Sequence, residues 1–240
     1  MKFKIKVLHY ISLICGILAL AVRTWLFSSA IDEKGLVVSD HPANIISYIL
    51  IAAVPLLLLV LSLLPSPKLA YSHHKSFIAL IGNVAGSIGV FYTAVTDLTG
   101  NGGRMALPTG IMGLVAGVCL IVLGLARIKG RRPSYYLDAA VTVFLMFYIL
   151  SRYQQWNIES QLQYYLPQLL AAAFLMLSGY FRAALTAGQD VASGFLVCNQ
   201  CALFFSCLAI GGETPLFYAC MALWCLTACS LTETKTERAA

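Results

Sequence analysis

Six stretches of the chain contain no charged side chain from end to end: Ala43 to Pro67, Ser76 to Thr96, Met105 to Ala126, Ser160 to Phe181, Val191 to Gly212 and Thr214 to Thr232. Each comes close to or exceeds the roughly 20 residues that an α-helix needs to cross the hydrocarbon core of a bilayer. In hydrocarbon every backbone N–H and C=O must find its partner inside the protein, which leaves helical bundles or closed barrels. Long apolar runs without period-2 alternation exclude the barrel. Two shorter runs are bounded by charge: Val7 to Val22 lies between Lys6 and Arg23, and Ala139 to Ser151 between Asp138 and Arg152. Together these runs predict an all-α, polytopic transmembrane bundle of eight helices.

With 60% of residues hydrophobic and 11% charged, at a mean hydropathy of +0.82, no segment has the composition of a soluble domain. Residues 1–240 therefore read as a single integral membrane domain. The connections are short, and the longest, "SSAIDEKGLVVSDHP", ends in Asp40, His41 and Pro42, a cap and first-turn proline for the second helix. They leave no room for an ATPase or kinase module, so an energising or signalling subunit would be a separate chain.

Charge orients the expected bundle. With the N-terminus inside, the cytoplasmic segments carry Lys2, Lys4, Lys6, Lys68, Lys75, Arg127, Lys129, Arg131, Arg132, Arg182, Lys235 and Arg238, and the outer side Arg23, Lys34, Arg104 and Arg152. Both termini are then expected in the cytoplasm of a cell with the protein in its cell membrane. Arg23 and Arg152 are expected to snorkel to the outer interface beside an aromatic belt of Trp25, Tyr153 and Trp156, with Tyr135 and Tyr136 in the opposite belt. The basic cluster "ARIKGRRPSYY" reads as a topology anchor on anionic lipid, which makes the bilayer the expected partner and not nucleic acid. A competing reading takes "MKFKIK", the first apolar run and "SSA" as a cleavable signal; Arg23 and two large aromatics before the small residues speak against it.

A weak correspondence links residues 1–130 with 131–240. The first helix of each half is short and ends in an arginine followed by aromatics, "VRTW" and "SRYQQW"; the third carries mid-run amides; the fourth opens on "LPTG" or "ETPL". Two parallel four-helix repeats would produce this pattern. The Gly82/Gly86 and Gly113/Gly117 spacings predict that the third and fourth helices cross closely. Pro55 predicts a kink in the second.

Cys198 and Cys201 in "CNQC" lie one turn apart on one helix face, which suits a strained disulfide or two metal ligands. A closed zinc site needs four ligands; Cys207 is half a turn out of phase and no histidine follows His74, so no metal is expected. Thiol exchange needs an accessible thiolate, which burial disfavours, and packing is the leading reading of this pair. The amides carry more information, because an unpaired Asn or Gln in hydrocarbon is costly. Asn83, Asn199 and Gln200 are therefore expected to face inward, either clasping helices together or lining a ligand site, with Arg23 and Arg152 guiding an anionic group at its outer mouth. Asp32, Glu33, Asp40, Asp97, Glu159 and Glu213 make that mouth mildly acidic.

Catalytic signatures are absent from the sequence: there is no H-E-x-x-H, P-loop or paired intramembrane carboxylate. His9, His41, His73 and His74 all fall near expected membrane ends or in loops, leaving Ser193 in "VASG" without an intramembrane histidine, and "SHHK" reads as a solvated loop. Asp138 alone approaches membrane depth and is expected to be neutralised by Arg131 or Arg132. The sequence thus points to a small-molecule transport or binding component that is not an enzyme and needs no cofactor. The alternatives are a non-catalytic scaffold or signalling protein acting through helix packing, and an intramembrane thiol oxidoreductase using Cys198 and Cys201.

Overall fold

A computed structural model describes residues 2–29, 41–63, 69–71, 75–100, 105–131, 133–156, 162–228 and 232–234. Eight helices occupy most of them: α1 Lys2–Ser29, α2 Pro42–Leu63, α3 Phe77–Thr99, α4 Ala106–Ile128, α5 Tyr135–Trp156, α6 Leu162–Ala187, α7 Ala192–Ala209 and α8 Pro215–Thr227. Seven are long and apolar enough to cross a membrane, and the chain is a multi-pass helical bundle. The eighth expected helix is present as α8, an apolar helix of 13 described residues opened by Pro215, and Thr232–Thr234 forms a short strand, β2. Conversely, α1 and α5 continue through Arg23 and Arg152, which makes both longer than their charge-free runs.

Local chemistry sets several ends. Ser76 caps α3 by accepting the Ala79 N–H at 3.2 Å. Gly130 and Gly188 follow α4 and α6 with φ of 63° and 96°, a backbone region costly for residues with a Cβ. Around them Arg131 and Gln189 donate back to the carbonyls of Ala126 and Ala184, each at 3.0 Å, closing both helices in the Schellman manner. Proline opens α8 at its first position, while α2 and α6 continue through Pro55 and Pro167.

Helices α3 to α8 pack against one another in chain order, and α8 closes back on α3. Six helices thereby form a ring. α1 lies along the outside of α7, and α2 packs on α1 and α7. This hairpin explains why α7 carries no charged side chain and is buried over nearly its whole length. Strand β1 (Leu69–Tyr71), between α2 and α3, pairs antiparallel with β2, so the α2–α3 connection and the segment after α8 lie at one end of the bundle, called here the near end. The other end, where α3 finishes and α4 begins, is the far end.

Small residues set the spacing within the ring. Gly110, Gly113 and Gly117 of α4 face Leu98, Ala94 and Phe91 of α3, and Gly124 faces Leu80, so the expected close crossing of α3 and α4 is present. The expectation for the α3 glycines is corrected: Gly82, Gly86 and Gly89 face Thr227, Trp224 and Cys220 of α8. The two faces of α3 explain the division, since residues seven apart share a face whereas the α4-facing Ser87, Phe91 and Ala94 lie on another. Ser87 donates to the Gly117 carbonyl at 3.0 Å across that second face. The two proposed halves also pair their helices differently. α6 packs along α7, while the corresponding α2 has α1 and α7 as its principal neighbours.

Candidate functional site

Three ring helices each carry two polar side chains fourteen residues apart with an apolar residue midway: Asn83, Val90 and Asp97 on α3; Asp138, Leu145 and Arg152 on α5; Gln168, Leu175 and Arg182 on α6. Two heptads return a helix nearly to the same face, so each trio lines one inward stripe. At 1.5 Å per residue the polar members are separated by roughly 21 Å along the axis. The antiparallel order of α5 and α6 then assembles two levels, each with one amide, one carboxylate and one arginine: Asn83, Asp138 and Arg182 near, and Asp97, Arg152 and Gln168 far.

At the near level the arginine reaches both the carboxylate and the amide, although Asp138 Oδ1 takes part in an ion pair without a well-formed hydrogen bond. Arg182 Nε lies 2.8 Å from Asp138 Oδ1, and its Nη2 donates to Asn83 Oδ1 at 3.0 Å on the far side of the ring. Trp224 Nε1 of α8 donates to the same Asn83 oxygen at 3.1 Å, and the guanidinium sits 4.9 Å from the Trp224 ring centre. Asn83 Nδ2 returns to the Ala79 carbonyl at 2.8 Å, and Thr186 donates to Asp138 Oδ2 at 3.2 Å. Asp138 thus pairs with Arg182, correcting the expected Arg131, which is exposed; Arg132 lies outside the described residues.

The far level is open. Arg152 Nη2 contacts Asp97 Oδ1 at 2.9 Å, but its Nη1 turns to Gln155 Oε1 at 2.9 Å and does not reach the amide of its level. Gln168 is 0% exposed, yet neither Nε2 nor Oε1 has a partner, and Arg152 Nε and Asp97 Oδ2 are likewise unbonded. Leaving a buried amide group unmet costs about 1–3 kcal/mol. Turning the carboxamide over cannot help, since both ends lack partners. Around this level Tyr148 meets the Thr214 hydroxyl at 3.3 Å, and Tyr218 donates to the Gln168 carbonyl at 3.0 Å. Above it, Glu213 accepts from Trp156 Nε1 at 3.2 Å and from Tyr165 at 3.0 Å, the two rings being stacked. Between the levels, Val90, Leu145, Leu175, Phe217 and Met221 are fully buried in one apolar cluster.

The other expected site residues fall elsewhere. Asn199 and Gln200 face the α1–α7 contact, where Asn199 accepts from Ser178 at 3.1 Å and donates to the Cys225 carbonyl at 3.0 Å. Their amide nitrogens meet both ring nitrogens of His9, at 3.1 and 2.7 Å. A neutral imidazole donates from one nitrogen and accepts at the other. The Gln200 carboxamide therefore sits turned over, its otherwise unpartnered Oε1 accepting from His9 Nδ1. His9 lies near the start of the apolar span of α1, as expected, but its side chain is buried in the bundle. Its signal was legible, because His9, Ser12, Gly16, Ala19, Arg23 and Leu26 alternate at spacings of three and four, and all are buried. Arg23 and Trp156 are buried in the bundle, correcting the outward-facing side chains expected of them, whereas Trp25, Tyr153, Tyr135 and Tyr136 are exposed.

Asn83 and Arg152 belong to different levels, and neither meets Asn199. Cys198 and Cys201 are free thiols buried on α7, and no group of three or more metal-ligating side chains occurs among the described residues. The expectations for Asp40, His73 and His74 lie outside those residues. No protein-family model, curated protein or solved structure matches the chain.

Proposed function

We propose that this multi-pass bundle is a small-molecule transport or binding component and that the axis of the α3–α8 ring is its path. One observation carries the reading: polar side chains from α3, α5 and α6 gather at two levels of the axis with an apolar layer between them. Polar groups inside a membrane bundle are expensive, and two separated sets on one axis suit a solute handed from one end to the other. With exposed Lys75, Lys129 and Arg131 at the near end, that end faces the cytoplasm of a cell membrane in this reading, and any energising subunit is a separate chain.

The second reading, a scaffold that acts through packing, draws support from the fully bonded Asn83 and Asn199, which behave as interhelical clasps. Thiol accessibility separates the two. In a cysteine-free background in sealed vesicles, Thr93→Cys, one turn inside the far level and fully buried, is expected to react with a small hydrophilic thiol reagent added at the far end. A sealed scaffold predicts no reaction from either side, and that result would sink the transport reading.

A further inference from the structure

We propose that the far level is a ligand site in its open form, and that it takes an uncharged small molecule bearing hydroxyl or carboxamide groups. This rests on reading the axis as a binding or transport path. The two levels have the same chemical inventory, one amide, one carboxylate and one arginine from α3, α5 and α6. At the near level the arginine bridges both other groups: Arg182 holds Asp138 and Asn83 together, and no atom of the Asn83 amide is left over. At the far level Arg152 holds Asp97 but not Gln168. The ligand occupies the place that the direct arginine–amide contact fills at the near level.

The unmet atoms define its chemistry. Gln168 Nε2 and Arg152 Nε are donors without acceptors, and Gln168 Oε1 and Asp97 Oδ2 are acceptors without donors. Hydroxyl and carboxamide groups offer both functions, so one such ligand satisfies a balanced set. The ion pair already neutralises itself, and among the described residues two further charges near this level, Arg23 beside Gly211 and Glu213 above it, are opposite in sign. An ion would enter without a compensating charge, which low-dielectric burial penalises. Tyr148, Phe217 and Tyr218 give the ligand aromatic walls. Gly212 is the cradle on the remaining side: a Cβ there would fall on Gln168 Nε2, so glycine is what lets the amide stand at this level.

The test pairs stability with ligand chemistry on the full-length protein in detergent. Thermal unfolding is followed with glycerol, glucose and acetamide, each against its anionic counterpart glycerol 3-phosphate, gluconate or acetate, for wild type and Gln168→Leu. A ligand bound to the folded state alone raises the unfolding midpoint by mass action. The expected result has two parts. Gln168→Leu melts higher than wild type without additives, because an unmet amide is removed. At least one uncharged probe raises the wild-type midpoint, its anionic counterpart does not, and the rise is lost in Gln168→Leu. A lower midpoint for Gln168→Leu, a shift produced by the anionic members, or no shift with any probe overturns the proposal. The outcome is separable from the transport reading: reactive Thr93→Cys with a destabilised Gln168→Leu keeps the path and removes the site, whereas silent Thr93→Cys with the expected shifts leaves a binding site without a path.

Discussion

At the residue scale, the stability of this bundle turns on which polar groups close on protein partners. Arg182 contacts Asp138, Asn83 and the Trp224 ring together, so Arg182→Leu removes the ion-pair partner of a buried carboxylate. Breaking one partner of a buried ion pair costs about 3–5 kcal/mol, whereas replacing both by apolar groups is often neutral or better. The expected outcome is a large loss of stability for Arg182→Leu and recovery of most of it in Arg182→Leu combined with Asp138→Leu, measured by denaturant unfolding in detergent. Equal losses in the single and double variants would show that the pair is not what the guanidinium secures. The sequence marked Asn83 and Asn199 as inward because amides are costly in hydrocarbon, and the structure buries both. It did not identify Gln168, whose position one residue after Pro167 near the start of a run looks like an interface, nor the burial of His9 against Asn199 and Gln200, which shows only when the three-and-four spacing of its helix is read.

At the element scale, glycine decides how closely helices approach, and each contact has its own remedy. A Cβ on Gly89 would lie 2.7 Å from Cys220 Cβ, an atom fixed to the α8 backbone, whereas one on Gly117 would lie 2.6 Å from the outer edge of the Phe91 ring. Overpacking of this kind costs about 1–3 kcal/mol. Gly89→Ala is therefore expected to destabilise with no rescue by Cys220→Ala, which keeps the offending Cβ, while Gly117→Ala is expected to be rescued by Phe91→Leu. Thermal unfolding of the four variants checks this, and rescue of Gly89→Ala by Cys220→Ala would show that α3 and α8 are not in direct backbone approach. The glycines themselves were conspicuous in the sequence. Their partners were not, because a small residue permits close approach by any neighbour, and α3 has two such neighbours on different faces.

At the scale of the whole molecule, the ring exists because α8 returns to α3. Its Phe217, Tyr218, Met221, Trp224 and Cys225 are buried, and Trp224 bonds the near level from the side opposite α5. A chain ending at Glu213 is expected to lose its monodisperse peak in size-exclusion chromatography, since the faces of α3 and α7 that α8 covers would be left without a partner. A monodisperse truncated protein would show that α3 to α7 suffice. The sequence by itself determined that the chain forms long apolar helices and roughly where they lie: without water, backbone groups must bond within their own segment, and charges mark where that stops. It even held the two polar levels, as pairs fourteen residues apart on three helices. Only the tertiary structure decided that Asn83 meets Arg182 while Gln168 is left open, that α3 turns its glycines to α8, and that a 13-residue helix closes the ring. The reason is physical: run length and periodicity are local properties, but apolar helix faces are nearly interchangeable as partners, and the choice among them depends on contacts between residues far apart in the chain.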